Sequence, residues 1–497
     1  MLKFDDLPRG LPRALSTADK PQRAIWRAPE GLADTEKWRA NSPRSVLVGQ
    51  DRNGEIIGLD DDRHMLTVAG SRAGKGVSVI LPNLATYSGS VLVLDPKGEN
   101  ATLTAERRGK GRGVPAGGMG QEVYVLDPFD KANVPEYYRA TFNPLEDLDP
   151  ADKMFIDTCD SIADALVLAK NEDANDHWNS SARMVLRGLI AWVVSDSSRP
   201  ASLVEVRKML NLSADKFADL LDEMLKSAEQ EEGDDTPLRA AGVPAEMAGA
   251  LQGMAEEERS SVLSTTRDHL TFLSSPPMAT LLGGGGRSPD LTTWKYGGAS
   301  VYLCLPAGLL HRHARFFRLF INRLLAAVEN TPPVPRDDPK GLFLLDEIHV
   351  LGHMAQLETA AGLMAGYGVR IWSFWQDFSQ AESIYGKRWQ TFIGNASLFQ
   401  SFGLNDMMTL QAVSDRLGQS QTILTSTGEV SLGQAAQGFE GQSHSMAGAP
   451  LLAPDEIAYH FSRQSNAQAV IYPGAPPIWM LRLNYWGAEW DKLRGTE

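Results

Sequence analysis

The sequence contains very little cysteine. Only Cys159 and Cys304 occur among its 497 residues, with no CxxC pair and no cysteine and histidine cluster at metal-ligand spacing. Neither a disulfide framework nor a structural zinc site is therefore expected. A reducing compartment such as the cytoplasm fits this composition best.

Long apolar runs are also missing. The longest stretches, such as 189–194 and 301–305, are far shorter than the ~18 residues that a membrane-spanning helix needs. The first residues mix charges with prolines and lack the continuous apolar region of a signal peptide. We expect a cytoplasmic chain with no membrane span of its own.

Basic residues are outnumbered by acidic ones: 48 lysines and arginines stand against 62 aspartates and glutamates, which gives a formal net charge of −14. This net charge argues against a surface coated with lysine and arginine for non-specific nucleic-acid binding, but it does not exclude a locally basic channel. One basic cluster stands in a glycine-rich turn, at Arg107, Arg108, Lys110 and Arg112. It is interpreted either as a solvated loop or as a local basic patch.

Short aliphatic runs alternate with helical patterns from residue 46 onward, which is typical of a mainly parallel α/β sheet. Between 150 and about 289 the strand signals disappear and helical patterns with acidic connectors replace them. We therefore predict an N-terminal extension (1–45), a nucleotide-binding α/β domain (46–149 and 291–497) and an inserted all-α domain (150–290). The predicted strands are 46–48, 65–68, 91–94, 123–126, 301–305, 342–345, 371–375 and 469–472.

The segment 65–81 runs from an aliphatic strand through a small-residue loop into a helical pattern. Such a loop can present backbone N–H groups and a lysine, here Lys75, to phosphates. Against the strict pattern G-x-x-x-x-G-K-[ST], however, only Gly74 and Lys75 match. An ordinary strand-to-helix turn is the alternative. The predicted nucleotide-binding residues are Ala69, Gly70, Ser71, Arg72, Ala73, Gly74, Lys75, Gly76 and Val77.

Two further strand ends strengthen this interpretation. Residues 341–348 read GLFLLDEI, so a buried strand delivers two acids: Asp346 for Mg²⁺ and Glu347 to polarise the attacking water. Residues 370–377 end another strand at Gln376, which is placed to sense the γ-phosphate. The alternatives are solvated acids at a strand end, and a helix cap formed by Gln376 and Asp377.

Several segments together resemble the TraG-like type IV coupling proteins, ATPases that link DNA relaxosomes or protein effectors to a secretion channel. Their order and spacing span nearly the whole chain beyond residue 45. The matching segments are AGSRAGKG (69–76), VLDPKGEN (93–100), YVLDPF (124–129), FNPL (142–145), LLDEIHVLGHM (344–354), MAGYGVRIWSFWQDFSQAESIYG (364–386), PLLAPDEI (450–457) and APPI (475–478).

The resemblance implies a RecA-like P-loop motor with an inserted all-α domain, ATP and Mg²⁺ as ligands, and a ring of six subunits. It implies DNA, relaxase or effector protein, and secretion-channel components as partners. A glycine after the P-loop lysine is common in this family, so Ser78 or Ser71 is expected to replace the usual Mg²⁺ hydroxyl. The family's usual N-terminal membrane anchor is not seen, which indicates either a naturally soluble member or a truncated chain.

Alternatives within this interpretation are a DNA pump of the FtsK/HerA class and a non-hydrolysing adaptor that uses nucleotide as a structural ligand. Motor rings typically complete each site with an arginine from the neighbouring subunit. Arg370 is the candidate for that role, with Arg388 as the second choice. Cargo recognition is predicted in the helical insertion, where the acidic connector 229–235 could attract basic segments of a cargo protein.

Overall fold

A mixed sheet of 11 strands forms the centre of the molecule, and a separate two-stranded hairpin lies outside it. The computed structural model describes residues 24–168, 176–231, 239–427 and 442–494. In chain order the strands are β1 (Val46–Gln50), β2 (Ile56–Leu59), β3 (His64–Ala69), β4 (Val91–Asp95), β5 (Glu122–Leu126), β6 (Ala299–Cys304), β7 (Gly341–Leu345), β8 (Val369–Trp375), β9 (Ala396–Phe402), β10 (Gln419–Thr427), β11 (Gln442–Pro450), β12 (Ala467–Ile471) and β13 (Ile478–Leu481).

The spatial order of the large sheet is β2-β1-β13-β12-β9-β3-β8-β7-β4-β6-β5. The seven strands from β9 to β5 run parallel, whereas β12, β13, β1 and β2 pair in antiparallel fashion on the other side. The central parallel strands are strongly apolar because both faces of the sheet are covered; every residue of β4 and β7 is buried. Strands β3, β7 and β8 lie side by side, so their carboxyl ends meet at one edge.

Fifteen α-helices surround the sheet or form the helical part of the described chain. Two of them follow strands directly at the sheet edge that carries the site. The helices are α1 (Leu81–Thr86), α2 (Glu99–Arg108), α3 (Phe155–Leu166), α4 (Asp176–Ser195), α5 (Leu203–Leu210), α6 (Ala214–Glu231), α7 (Val243–Gly253), α8 (Glu256–His269), α9 (Pro276–Gly283), α10 (Leu310–Glu329), α11 (Ala355–Leu363), α12 (Phe378–Tyr385), α13 (Gln390–Gly394), α14 (Met407–Leu417) and α15 (Pro454–His460).

The stretch 150–290 holds helices α3 to α9, and its described residues contain no strand. Helix α3 of this stretch packs on α10 of the α/β part. Arg318 on α10, for example, donates to the carbonyl of Ala165 in α3 at 3.0 Å. The arrangement agrees with a helical insertion, while the domain boundaries themselves stay a prediction. Most of the acidic connector 229–235 lies outside the described residues.

The basic cluster at the end of α2 corrects the sequence interpretation. Arg108 is fully buried, and its guanidinium donates to the carbonyls of Leu84, Tyr87 and Gly89. It therefore belongs neither to a solvated loop nor to a basic patch. Lys110, by contrast, lies over the ring of Tyr137 at the surface side of this turn, 4.0 Å from the ring centroid.

No helix in the described ranges is both long enough and apolar enough to cross a membrane.

Candidate nucleotide site

The loop after β3 has the shape of a phosphate-binding loop. Arg72 and Gly74 both adopt positive φ, 56° and 100°, and the amide of Ser78 bonds to the carbonyl of Gly74 at 2.8 Å. Positive φ at Gly74 is easy for glycine, which has no Cβ. Gly70 is required for another reason, because a Cβ there would stand 2.3 Å from the carbonyl oxygen of Gly403. The chain then turns into a π-helical segment, Gly76–Ile80, that continues as α1.

This loop lines a cavity of about 390 Å³ at the carboxyl edge of the parallel strands. Of the predicted nucleotide-binding residues, Ser71 to Val77 line the cavity, while Ala69 ends β3 and Gly70 stands behind the loop against Gly403. The opposite wall is formed by the ends of β4 and β7. The complete lining is Ser71, Arg72, Ala73, Gly74, Lys75, Gly76, Val77, Asp95, Pro96, Lys97, Glu99, Asn100, Asp346 and Glu347.

The ammonium group of Lys75 is the clearest electrostatic feature of the cavity. Its side chain is 8% exposed, and its Nζ has no hydrogen-bond partner among the described residues. The nearest charged atom is Oε1 of Glu347 at 3.9 Å, a distance that allows attraction but no hydrogen bond. A buried ammonium that lacks partners is costly. The group is therefore suited to receive an anionic ligand.

The predicted acids stand where β7 ends. Burial raises the pKa of Asp346 to about 6, with Lys75 lowering it and Glu347 raising it. Glu347 has a left-handed backbone, φ 55°, which is uncommon for a residue with a Cβ. This conformation marks a strained turn of the kind that clusters at functional sites.

The carboxylate of Glu347 is held by side chains from two neighbouring segments. Its Oε2 accepts a hydrogen bond from Nε2 of Gln376 at 2.6 Å and lies 3.3 Å from Nδ1 of His349. Gln376 therefore contacts the proposed catalytic acid and does not cap the next helix. The cap of α12 is Asp377, whose Oδ1 accepts from the amide of Gln380 at 2.9 Å.

Asp95 was not predicted as a site residue, although it ends β4 beside Asp346. Its side chain is 1% exposed, and Oδ2 accepts from the amide of Ala101 at 2.8 Å. Burial raises its pKa to about 7; amides of Ala101 and Asn100 act against this, and the charge of Asp346 adds to it. The sequence does carry a signal for Asp95, because VLVLD is an apolar strand that ends in an acidic residue, as FLLDE is.

Arg482 was missed as well, and no local pattern pointed to it. It follows β13, 409 residues after Ala73 of the loop, yet its NH1 donates to the carbonyl of Ala73 at 2.5 Å. Three-dimensional pairing of distant segments is what brings it there. The phosphate loop is thus supported from behind by a buried guanidinium.

The structure does not bring Arg370 to this site, which corrects the prediction of a trans-acting arginine at that position. Arg370 stands at the start of β8, and its side chain is 1% exposed. Its guanidinium donates to the carbonyls of Asp61 and Arg44 and to the hydroxyl of Tyr87 at 2.7 to 2.9 Å. A side chain so enclosed cannot reach a neighbouring subunit. The second choice, Arg388, is 76% exposed and pairs with Glu358 at 2.6 Å.

The residues at this site fit a nucleoside triphosphate with Mg²⁺. The unpartnered Nζ of Lys75 suits phosphate oxygens, and Asp346 offers the oxygen ligand that Mg²⁺ prefers. A hydroxyl is also near the loop, because Oγ of Ser78 lies 3.6 Å from where a Cβ on Gly74 would be. Ser71 lines the same cavity, so both predicted Mg²⁺ hydroxyls remain predictions.

Comparisons with known proteins agree with this geometry. The model of the family described as type IV secretory system conjugative DNA transfer matches residues 17–496. The VirD4 protein of Agrobacterium fabrum is 26% identical over 440 residues, which cover 87% of this chain and 60% of that protein. TraG of Escherichia coli is 26% identical over 454 residues, 87% of this chain and 68% of that protein. The chain thus spans about 60% of the length of its VirD4 relatives.

Solved structures of the conjugative coupling protein TrwB have the same fold. The unbound TrwBdeltaN70 form superposes with a TM-score of 0.63 at 15% identity, covering 94% of this chain and 95% of that one. TrwB with the ATP analogue ADPNP gives a TM-score of 0.64 at 14% identity, covering 94% and 95%. The predicted α/β fold of RecA-like P-loop type, with a mainly parallel sheet and added helices, is confirmed.

Proposed function

Because the chain belongs to the family of type IV secretory system conjugative DNA transfer proteins, we propose that it is an ATP-hydrolysing coupling protein that drives DNA transfer. The observation that carries this proposal is the buried ammonium of Lys75, which makes no hydrogen bond in the described part of the chain and shares one cavity with Asp346 and Glu347. Two solved structures of TrwB support the choice of ligand, because one holds ADPNP and another holds ADP and Mg²⁺.

Each site residue receives one task in this proposal. Lys75 and the backbone amides of residues 70–77 bind the phosphates, and Asp346 holds Mg²⁺, which supplies Lewis-acid stabilisation of phosphate charge when bound. Glu347 accepts the proton of the water that attacks the γ-phosphorus. Gln376, which is hydrogen-bonded to Glu347, orients that water and reports on the nucleotide state.

We further propose a homo-oligomer, a ring of six, in which a neighbouring subunit supplies an arginine. Arg388 remains the candidate because its guanidinium is 76% exposed, unlike that of Arg370. Such an arginine can be worth ~10³ or more in rate. Turnover per subunit should therefore rise with protein concentration, and equal turnover in dilute and concentrated protein would contradict the idea.

The proposed partners are DNA, its relaxase or an effector protein, and components of a secretion channel. The chain would act at the cytoplasmic side of the inner membrane, through partners. The helical stretch 150–290 is the proposed cargo-recognition part, since the loops at the sheet edge are committed to the nucleotide. Deleting it and measuring cargo binding beside ATP binding would test this assignment.

The central test is ATP turnover of the full chain with and without single-stranded DNA, using Glu347→Gln as the inactive control. We expect turnover that DNA stimulates and that the control lacks. Equal stimulation by double-stranded DNA would favour a pump of the FtsK/HerA class. Tight nucleotide binding without any turnover would favour a non-hydrolysing adaptor and contradict the proposal.

A further inference from the structure

The guanidinium of Arg482 lies directly behind the phosphate loop. Its NH1 donates to the carbonyl of Ala73 at 2.5 Å and stands 3.5 Å from where a Cβ on Gly74 would be. Its NH2 donates to the carbonyls of Arg463, at 3.2 Å, and Ser465. One side chain thus ties the loop to the segment before β12.

Arg482 is also a buried cation that lacks an acidic partner in the described part of the chain. The residue is 5% exposed, its guanidinium lies 4.9 Å from the ring centroid of Phe402, and its Nε has no hydrogen-bond partner there. Its hydrogen bonds go to neutral carbonyls. Burial lowers the pKa of the guanidinium, but an arginine starts so high that it stays protonated near neutral pH.

The neighbouring backbone leaves this part of the loop no room to move back. A Cβ on Gly403 would lie 2.4 Å from Cβ of Ala73, and Gly403 has a positive φ of 62°. At the other end of the loop, the amide of Tyr485 donates to the carbonyl of Val77 at 3.1 Å. The segment after β13 therefore contacts the phosphate loop at both ends.

We propose that Arg482 is a positioning residue for the nucleotide phosphates. It holds the Ala73 carbonyl so that the loop amides face the cavity, and the bound phosphates provide the counter-charge that the protein does not supply. A buried charge without a counter-ion is costly, so an anion within its field is favoured. This inference rests on the proposed nucleotide-binding function and deepens it.

The test measures dissociation constants of the full chain for ATP, ADP and AMP with Mg²⁺ by calorimetry. In Arg482→Gln we expect roughly tenfold to hundredfold weaker binding of ATP and ADP, the loss typical of a hydrogen bond to a charged group. AMP, which lacks the β- and γ-phosphates, should change less. Arg482→Lys keeps the positive charge but loses the planar set of guanidinium N–H donors. Its affinity for ATP should therefore fall by about threefold to tenfold.

Arg416→Gln is the matched control. Its guanidinium also lies over a phenylalanine of β9, 5.0 Å from the Phe399 ring centroid, but the residue is exposed and, within the described part of the chain, makes no hydrogen bond to the phosphate loop. Wild-type ATP affinity in Arg482→Gln, or an equal loss for all three nucleotides, would overturn the inference. If Arg482→Gln does not fold, wild-type ATP affinity in Arg482→Lys overturns it. Failure of the unmodified protein to bind any nucleotide would instead contradict the proposed function.

Discussion

The two ends of the parallel sheet both collect charged side chains, but they do so in opposite ways. At the carboxyl end, Lys75 has no hydrogen-bond partner in the described chain, and burial raises the pKa of Asp346 to about 6. At the amino end, a cavity of about 180 Å³ is lined by eight charged residues. There several of the charges pair with one another, as do Arg44 with Asp60 at 3.0 Å and Lys37 with Asp61 at 3.3 Å.

Asp61 shows the contrast most directly. Although burial opposes it, hydrogen bonds from Arg63 and Tyr472 lower the pKa of this carboxyl at the amino end. At the carboxyl end, burial instead raises the pKa of the carboxyl groups of Asp95 and Asp346. A high density of charge therefore does not identify a ligand site by itself. Buried charged groups that lack hydrogen-bond partners, or whose pKa is shifted by burial, are a better indication, because a bound ligand can improve their environment.

Glu347→Gln should produce the largest effect on ATP turnover. If it did not, the contrast between the two ends of the sheet would be wrong. The amide keeps the size of the side chain but cannot accept the proton of the attacking water. We expect turnover to fall by roughly 10² to 10⁴, the usual contribution of a general base, while ATP affinity stays near that of the unmodified protein. Steady-state turnover and calorimetry measure the two quantities. Turnover within twofold of the original would remove Glu347 from the site.

Lys75→Ala should act mainly on binding. Removing the ammonium takes away a desolvated charge contact to phosphate, so ATP affinity should fall by roughly a hundredfold or more. Because Nζ makes no hydrogen bond within the described chain, folding without nucleotide should be little affected. Thermal unfolding with and without ATP separates these effects. Retained stabilisation by ATP would contradict the assignment of the phosphate loop.

Much of the fold was predictable because parallel strands are buried on both faces and read as continuous aliphatic runs. All eight predicted strands lie in or overlap observed ones. Strand β9, ASLFQSF, was missed since polar residues interrupt its apolar pattern, and Gln400 is satisfied inside the sheet by Thr67 and Gln468. The position of a short strand such as β13 in the sheet depends on its pairing with β12, which the local sequence does not reveal.

The candidate site was predictable only where its signals are local. The loop around Lys75 and the acids after β7 each stand in a recognisable strand context. The support from Arg482 depends on contacts between segments about 400 residues apart, and the burial of Arg370 depends on tertiary packing. A sequence places Arg370 at a strand start but does not tell which edge of the sheet faces a partner.

Asp95→Asn should stabilise the protein at high pH. The folded-state pKa of about 7 lies above the ordinary 3.8, so the stability that the protonated carboxyl contributes is complete below about pH 4 and is lost as pH rises from there through 7. The amide cannot ionise, and the variant should therefore gain on the order of 4 kcal/mol at pH 8 and almost nothing near pH 4. Urea unfolding across this range measures the difference.

Asp61→Asn is the matched control for that experiment, and it should have the opposite sign. The lowered pKa of Asp61 means that its carboxylate stabilises the fold at pH values above the ordinary pKa, so its removal should destabilise the protein at pH 8. If both amides shifted stability in the same direction, the electrostatic distinction between the two ends of the sheet would be wrong.

Arg370→Lys should have the smallest effect on nucleotide chemistry. Strand β8 rises about 3.3 Å per residue, which puts Arg370 roughly 20 Å from Gln376 at the other end of the strand. Its three hydrogen bonds hold the amino end of the sheet together, and a lysine cannot make all of them. We therefore expect a loss of roughly 1–3 kcal/mol in stability, with ATP affinity and turnover per folded subunit unchanged within about twofold. A tenfold loss of turnover in folded, assembled Arg370→Lys would instead indicate that this residue takes part in catalysis. A purely structural arginine at the amino end of the sheet is too far from the phosphates to have that effect.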